Sequence, residues 1–312
     1  MAENGLNIPI ALIIFKRPET TQQVLKAIAV VKPQRLFVIG DGPRKDRPDE
    51  LERVARTRTL INQLDWDCEI QTNYSETNLG LKQRIVSGLN WAFSQAEKMI
   101  VLEDDCVPSR SFFLFCQDLL ARYQRESRLM AIGGVNYQFG RNPTPYSYYF
   151  SIFNHVSGWA SWQRAWEFFD PDMKLWPEVR DFNMLNSLFS DHKAVEYWAK
   201  RLQSAYDHQI DSWAYCWTLA CWANSGLTAL PALNLVNNIG SGLDATHSHG
   251  RRNPRLHIPA QEISFPLQHP PNIMRHALAD EFTQRCYFRE HRLAPIKKSL
   301  KMLLGRYLEK YR

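Results

Sequence analysis

The stretch Met99–Phe113, MIVLEDDCVPSRSFF, sets three adjacent carboxylates at the end of an apolar run. The run predicts a buried strand, and Glu103, Asp104 and Asp105 follow it directly. Because successive strand residues point to opposite faces, we expect Glu103 and Asp105 on one side and Asp104 on the other. Adjacent like charges are unfavourable unless they are neutralised, and Mg²⁺ or Mn²⁺ would neutralise them and also hold substrate phosphates. The alternative is a polar turn in which Asp105 caps a helix that begins near Ser109.

Strand-like and helix-like segments alternate through the first third of the chain. Strands are predicted at 8–15, 35–39, 67–72 and 98–102, and helices from Pro18 and over 51–64 and 81–96. This alternation predicts an α/β fold with a mostly parallel central sheet flanked by helices. Ligands of such sheets bind beyond the carboxyl ends of the strands. Arg17, Asp41 and 78–82 follow the first three strands, so we expect them to share one crevice with the acidic triplet.

The composition is that of a globular protein. The chain has 312 residues, of which 45% are hydrophobic, and it contains no apolar run long enough to predict a membrane-spanning helix. The six cysteines lack metal-ligand spacing, so free thiols in a cytoplasmic protein are the simplest interpretation. We expect one domain over 1–270, with halves 1–135 and 136–270, and a basic helical extension over 271–312.

The net charge of +6 is concentrated at the carboxyl end of the chain. Residues 289–312 hold eight Lys or Arg and two Glu, so the body of the protein is close to neutral. Leucines at helical spacing among these cations predict a basic amphipathic helix that lies on an anionic membrane surface, at the cytoplasmic face. The alternative is a terminal helix that packs on the body through its leucines. Because the body has no basic stripe, no nucleic-acid partner is expected.

The acidic stretch resembles the metal-binding motif of a known group of enzymes. VLEDDCVPSRSFF is similar to the DXD-type motif of GT-A glycosyltransferases, and most to its E-D-D form in the inverting N-acetylglucosaminyltransferases that act on protein N-glycans and on O-mannose. Further similar segments are FKRPETTQQVLKAI from Phe15, NLGLKQRIVSGLNWAF from Asn78, SGWASWQRAW from Ser157 and QIDSWAYCWTLACWANSG from Gln209. The resemblance implies a GT-A (nucleotide-diphospho-sugar transferase) fold. The animal enzymes carry a luminal stem and a membrane anchor that this sequence lacks, so it looks like a bacterial-type cytoplasmic relative with an acceptor of its own.

The resemblance also implies roles for the residues that match the motifs of this group. Asp105 would ligate Mn²⁺ or Mg²⁺. The donor, for which a UDP-sugar is favoured, would be held by Arg17 and Asp41 at the nucleotide, by Lys82 or Arg84 at the phosphates, and by Glu103 and Asp104 at the ribose and the sugar.

The second half of the chain would complete the site. Trp159 and Trp162 would stack on a sugar, since aromatic rings suit apolar C–H surfaces, or else belong to the core. Asp211 would be the base that takes the proton of the acceptor hydroxyl, with Asp207 as the second candidate; the alternative for Asp211 is a plain helix N-cap. His247 or His249, in a glycine-rich loop, would bind metal or phosphate, unless that loop is only a mobile surface loop.

These features together predict a metal-dependent, inverting glycosyltransferase that moves a sugar from a nucleotide-diphosphate sugar to a hydroxyl of a glycan or lipid-linked acceptor. A sugar-phosphate nucleotidyltransferase is the first alternative, but it would carry a glycine-rich loop after the first strand, where this chain reads FKRPETT. The second alternative is a non-catalytic protein that binds a membrane surface through its basic end.

Overall fold

The computed structural model describes residues 5–240 and 258–288. The strands are β1 Ile10–Ile14, β2 Arg35–Gly40, β3 Glu69–Tyr74, β4 Lys98–Glu103, β5 Cys106–Pro108, β6 Leu129–Gly133, β7 Tyr148–Ser151, β8 Trp159–Trp162, β9 Leu227–Pro231 and β10 Val236–Asn238. The helices are α1 Pro18–Ala29, α2 Asp49–Thr59, α3 Leu81–Phe93, α4 Arg110–Arg122, α5 Gln163–Trp166, α6 Trp176–Asp181, α7 His192–Tyr206, α8 Trp213–Ala223 and α9 Ala277–Thr283. Short helical turns are Leu60–Gln63, Met184–Ser187 and Gln284–Phe288.

The central sheet has the strand order β3-β2-β1-β4-β8-β6-β9-β7. β3, β2, β1 and β4 are parallel neighbours, whereas β8 and β7 run antiparallel to the strands beside them. The predicted fold class, an α/β fold with a mostly parallel sheet flanked by helices, is confirmed. The chain builds outward from β1 to β3 and then returns to place β4 on the other side of β1. Such a reversal of strand order opens a crevice at the carboxyl ends of the two central strands.

The central strands are apolar throughout because helices cover both faces of the sheet. Leu12 of β1 and Leu102 of β4 belong to a core shared with α1 and α4. The alternate residues Ala11 and Val101 face the opposite way, into a core shared with α3 and α8. All four side chains are fully buried. This two-sided burial explains the unbroken apolar runs of the sequence.

The acidic triplet does not lead directly into a helix. After Asp105 the chain forms β5, which pairs antiparallel with β10 and brings Ile239 N to within 2.8 Å of Asp105 O. α4 then begins at Arg110, and its first N–H groups are capped by Glu262, whose carboxylate oxygens lie 3.1 Å from Arg110 N and 2.8 Å from Ser111 N. The alternative interpretation of Asp105 as the cap of this helix is therefore wrong.

Both predicted halves contribute to one sheet, since β6 pairs with β8 and β9 from later in the chain. The segment 258–288 packs back onto this sheet, where His276 N donates to Phe150 O at 2.7 Å. The domain limits at 135 and 270 stay predictions.

The predicted basic helix over 289–312 lies outside the described residues, as do His247 and His249. Within 5–240 and 258–288, no helix is both long enough and apolar enough to cross a bilayer.

Candidate functional site

A single arginine joins the last two acids of the triplet. Arg17, in the connection between β1 and α1, donates through Nη1 to Asp105 Oδ2 at 2.9 Å and through Nη2 to Asp104 Oδ1. Phe15 N donates to the other oxygen of Asp104 at 3.3 Å. The expectation that Asp104 faces away from Asp105 is wrong, because the strand ends at Glu103 and the following turn folds both aspartates toward Arg17.

Burial makes negative charge on the carboxylates of this cluster unfavourable. Burial, reinforced by the charges of Asp105 and Asp104, raises the pKa of Glu103 to about 8. Burial also raises the pKa of Asp104 to about 6, although the Arg17 guanidinium opposes the change. Burial alone would lower the pKa of Arg17, but the two aspartates outweigh it and raise that pKa. The turn thus concentrates negative charge that one arginine compensates only in part.

Asp41 lies on the other side of the β1 end. Its backbone N–H donates to Ile14 O at 3.3 Å, which places it directly beside that strand. Its carboxylate accepts from Gly42 N, Leu79 N and Asn78 Nδ2, each at 2.9 Å, and so ties the loop after β2 to the loop after β3. Burial raises the pKa of Asp41, against the effect of these N–H donors. Arg17 and Asp41 therefore both lie at the carboxyl end of β1, and their expected place in one donor crevice stays a prediction.

Arg84 lies one turn into α3 and is oriented toward β3. Its guanidinium donates to Asn73 Oδ1 at 2.6 Å, and it lies close enough to Asp41 for the two charges to interact. Burial lowers the pKa of Arg84, and the Asp41 carboxylate opposes this. The side chain therefore borders the loop that Asp41 organises.

Asp211 connects the two halves of the chain. Its exposed carboxylate accepts from Leu81 N at 3.1 Å and from Lys82 N at 3.3 Å, at the start of α3. The preceding residue, Gly80, has a φ of +82°, a conformation that favours glycine. Lys82 Nζ donates to Pro171 O at 2.6 Å, in a loop of the second half. Asp211 thus caps α3 from across the molecule rather than the helix that follows it in sequence, a contact that no local pattern indicates.

Trp159 and Trp162 are core residues, and the expectation of sugar stacking is corrected for both. Each side chain is only 1% exposed. The Trp159 ring stacks on Trp213, with centroids 5.6 Å apart. Trp162 Nε1 donates to Leu120 O at 3.1 Å, which satisfies its polar group inside the protein. α8 covers the face of the sheet that carries Trp159 and α4 covers the face that carries Trp162, so neither ring has a surface that a sugar can reach.

Two further residues lie at the end of β1 and beside the acidic turn. No site role for Phe15 and no contact partner for Gly240 was predicted from the sequence. Phe15 is half-buried just beyond β1, with Lys16 Nζ 5.5 Å and the Arg44 guanidinium 5.8 Å from its ring centroid. Gly240 lies against Asp105, because a Cβ built on Gly240 would be 2.0 Å from Asp105 Oδ2. The apolar run that extends past the end of β1 is the signal that could have identified Phe15.

These carboxylates can hold a divalent metal ion only if substrate oxygens complete its coordination. Among residues 5–240 and 258–288, no three His, Cys, Asp or Glu side chains converge as a protein-built metal cage requires. Mg²⁺ and Mn²⁺ prefer oxygen ligands, and Mg²⁺ is commonly bound by one or two carboxylates together with substrate phosphates. Asp105, which is 9% exposed at the mouth of the turn, fits this second arrangement.

No family model and no curated protein matches the chain. Among solved structures, 109 chains match. One is the mannosyltransferase PcManGT from Pyrobaculum calidifontis in complex with GDP-Man and Mn²⁺, at 13% identity and a TM-score of 0.34, covering 53% of this chain and 47% of that one. The 4-diphosphocytidyl-2C-methyl-D-erythritol synthase from Anaerococcus prevotii is 15% identical, with a TM-score of 0.30 and coverage of 50% and 72%. A UDP-glucose pyrophosphorylase complexed with UDP-glucose is 14% identical, with a TM-score of 0.27 and coverage of 47% and 63%.

The match therefore spans about half the length of the mannosyltransferase. The similar structures include both nucleotide-sugar transferases and nucleotidyltransferases. At these identities and TM-scores, neither their ligands nor their activities carry over to this chain, and the fold assignment rests on the order of the strands.

Proposed function

We propose that the protein is a glycosyltransferase that moves a sugar from a nucleotide-diphosphate sugar to a hydroxyl acceptor. The observation that carries this proposal is the meeting of Arg17, the aspartate pair 104–105 and Asp41 around the end of β1, where the strand order reverses. This is the position at which open α/β sheets bind nucleotides. A guanidinium beside carboxylates offers partners for both phosphate and sugar hydroxyl groups.

The nucleoside is assigned to the Asp41 side of the crevice. Three donors of the chain bond to the Asp41 carboxylate, and the Gly80 N–H also interacts with it. An N–H of the base, such as the imide of uracil in the favoured UDP-sugar, would share this carboxylate with those donors. The half-buried ring of Phe15 offers a stacking surface beside it. Arg84 borders this side from the start of α3, and the expected contact of Lys82 or Arg84 with the phosphates stays a prediction.

The diphosphate and the sugar are assigned to the side of the acidic triplet. Asp105 would hold Mn²⁺ or Mg²⁺, which when bound supplies positive charge for the departing diphosphate. Glu103 and Asp104 would accept hydrogen bonds from ribose and sugar hydroxyls. Arg17 would orient the phosphates.

Transfer with inversion is a single displacement at the anomeric carbon. A bond forms from the acceptor oxygen to that carbon, the bond from the carbon to the diphosphate oxygen breaks, and the nucleoside diphosphate leaves with the electron pair. Asp211 would take the hydroxyl proton of the acceptor and pass it to water. Its two donors at the start of α3 orient the carboxylate, while lone pairs remain for the proton. The acceptor would be a glycan or a lipid-linked glycan at the cytoplasmic face of a membrane.

The nucleotidyltransferase alternative predicts different products. It would join a nucleoside triphosphate to a sugar phosphate and release pyrophosphate. The connection from β1 to α1 has only three residues, Phe15 to Arg17, and none is glycine. A glycine-rich phosphate loop is therefore absent there, which favours transfer of the sugar.

The donor site is tested by thermal unfolding with UDP-, GDP-, CMP- and dTDP-sugars, with and without Mn²⁺. A ligand at about one hundred times its Kd stabilises the folded state by about 2.7 kcal/mol, which is a rise of about 4 °C in Tm for a chain of this size. We expect that rise with one nucleotide, only with Mn²⁺, and not in Asp105→Asn. Asp65→Asn, an exposed aspartate away from the crevice, is the matched control.

Product analysis completes the test. Release of nucleoside diphosphate in the presence of hydroxyl acceptors supports the proposal, whereas pyrophosphate from triphosphate and sugar phosphate assigns the alternative. If none of the four donors raises the Tm of the folded protein, both the glycosyltransferase proposal and the nucleotidyltransferase alternative are contradicted.

A further inference from the structure

We propose that Arg17 is an internal counter-cation that keeps divalent metal off Asp105 until a nucleoside diphosphate arrives, so that metal and nucleotide bind together. The inference rests on the proposed donor site and concerns how that site is loaded. It assigns to Arg17 a task in the free protein that is separate from its contact with the donor.

The first support is the position of the guanidinium. Arg17 bonds to both aspartates at once, and its Nη1 lies 2.9 Å from Asp105 Oδ2. A metal ion bonded to that oxygen would stand beside the guanidinium, and the two positive charges would repel each other strongly at such a short distance. Gly240 also lies against that oxygen. The other oxygen, Oδ1, accepts from the buried Cys106 thiol at 3.5 Å, so metal can bind Oδ2 only after Arg17 moves.

The second support is the balance of charge. The end of β4 and the turn after it carry three carboxylates, and among residues 5–240 and 258–288 Arg17 is the cation that bonds to two of them, Asp104 and Asp105. A diphosphate adds two or more negative charges to the crevice and presents oxygens in the geometry that a guanidinium fork prefers. Arg17 can then exchange a carboxylate for phosphate while the metal takes its place at Asp105. Without the diphosphate, the same exchange leaves the guanidinium without a partner.

The third support is that the neighbouring cations already form ion pairs with another carboxylate. Lys16 Nζ is 2.6 Å from the fully buried carboxylate of Glu50, and Arg44 Nη1 is 3.4 Å from the same group. Neither is therefore placed to replace Arg17 at the aspartates. We therefore expect that substitution of Arg17 leaves Asp104 and Asp105 without a cationic partner.

The test is a titration with Mn²⁺ followed by the electron paramagnetic resonance signal of the free ion, which does not depend on enzyme activity. Wild type, Arg17→Gln and Arg17→Lys are titrated alone and with UDP or GDP. Arg128→Gln, which removes an exposed arginine paired with Glu126, is the matched control. We expect wild type and Arg128→Gln to bind Mn²⁺ at least tenfold more weakly without nucleotide than with it. Arg17→Gln should bind nucleotide-free Mn²⁺ at least tenfold more tightly than wild type.

Arg17→Lys protects the test against misfolding, because it keeps the charge beside the buried Asp104 while losing the two-armed contact. Without nucleotide, Arg17→Lys should bind Mn²⁺ more tightly than wild type and more weakly than Arg17→Gln. Equal nucleotide-free affinity in wild type and both Arg17 variants would overturn the inference while leaving a metal-assisted transferase intact. No Mn²⁺ binding by any variant, with either nucleotide, would overturn both.

Discussion

Asp211 has two candidate tasks, and one substitution separates them. Asp211→Asn removes the negative charge and the basic oxygen but keeps a carbonyl oxygen that accepts from Leu81 N or Lys82 N. Only one of two hydrogen bonds at an exposed helix end is lost, which costs about 0.5 kcal/mol of unfolding free energy. Loss of a general base lowers the rate by about 10²–10⁴, or about 3–5 kcal/mol of activation free energy. The proposed role therefore predicts a large effect on kcat and a small effect on stability.

The assay is release of nucleoside diphosphate at saturating donor and acceptor, beside urea unfolding of the same protein samples. Asp191→Asn is the control for capping, because Asp191 accepts from Lys193 N at the start of α7. It should cost similar stability and leave kcat unchanged. Asp207→Asn tests the second candidate base, which is exposed and bonded to Gln203. If Asp211→Asn keeps more than a tenth of the wild-type kcat, Asp211 is only a cap; a loss of activity in Asp207→Asn instead moves the base to that residue.

Further predictions concern residues outside the reacting groups. Burial lowers the pKa of His155 to about 3, whereas a histidine of the unfolded chain titrates near 6.5, so protons bind the unfolded state preferentially as the pH falls below 6.5. The folded state should lose about 2 kcal/mol on this account between pH 7.5 and pH 5, and His155→Phe should lose that much less in urea unfolding at the two pH values. Trp159→Ala should cost about 3–5 kcal/mol of unfolding free energy because it empties a core position, and a near-normal urea midpoint would contradict its burial. Glu262→Ala should cost about 1 kcal/mol through the lost cap of α4, with Glu262→Gln costing less, by the same measurement.

The order of elements follows from local patterns in the chain. The apolar runs of β1, β2 and β4 are long enough to predict buried strands, and the amphipathic segments between them predict covering helices. Residues after strand ends then point to one edge of the sheet, which is why Arg17, Asp41 and the acidic triplet were all expected in one crevice. The shift of β3 to Glu69–Tyr74 and the appearance of β5 show where local patterns are weakest, since both strands depend on pairing with distant partners.

By itself, the sequence determined which residues lie at the carboxyl ends of the strands, because backbone periodicity and strand direction are local properties. Only the tertiary structure decided what those residues contact. Arg17 meets Asp104 and Asp105 across 87 and 88 residues of chain, and Asp211 reaches Leu81 across 130. Tryptophans that suit a sugar surface equally well are buried at β8, because α8 covers the face of the sheet that carries Trp159 and α4 covers the face that carries Trp162. Hydrogen bonds and packing between distant segments depend on the assembled fold, and no local pattern records them.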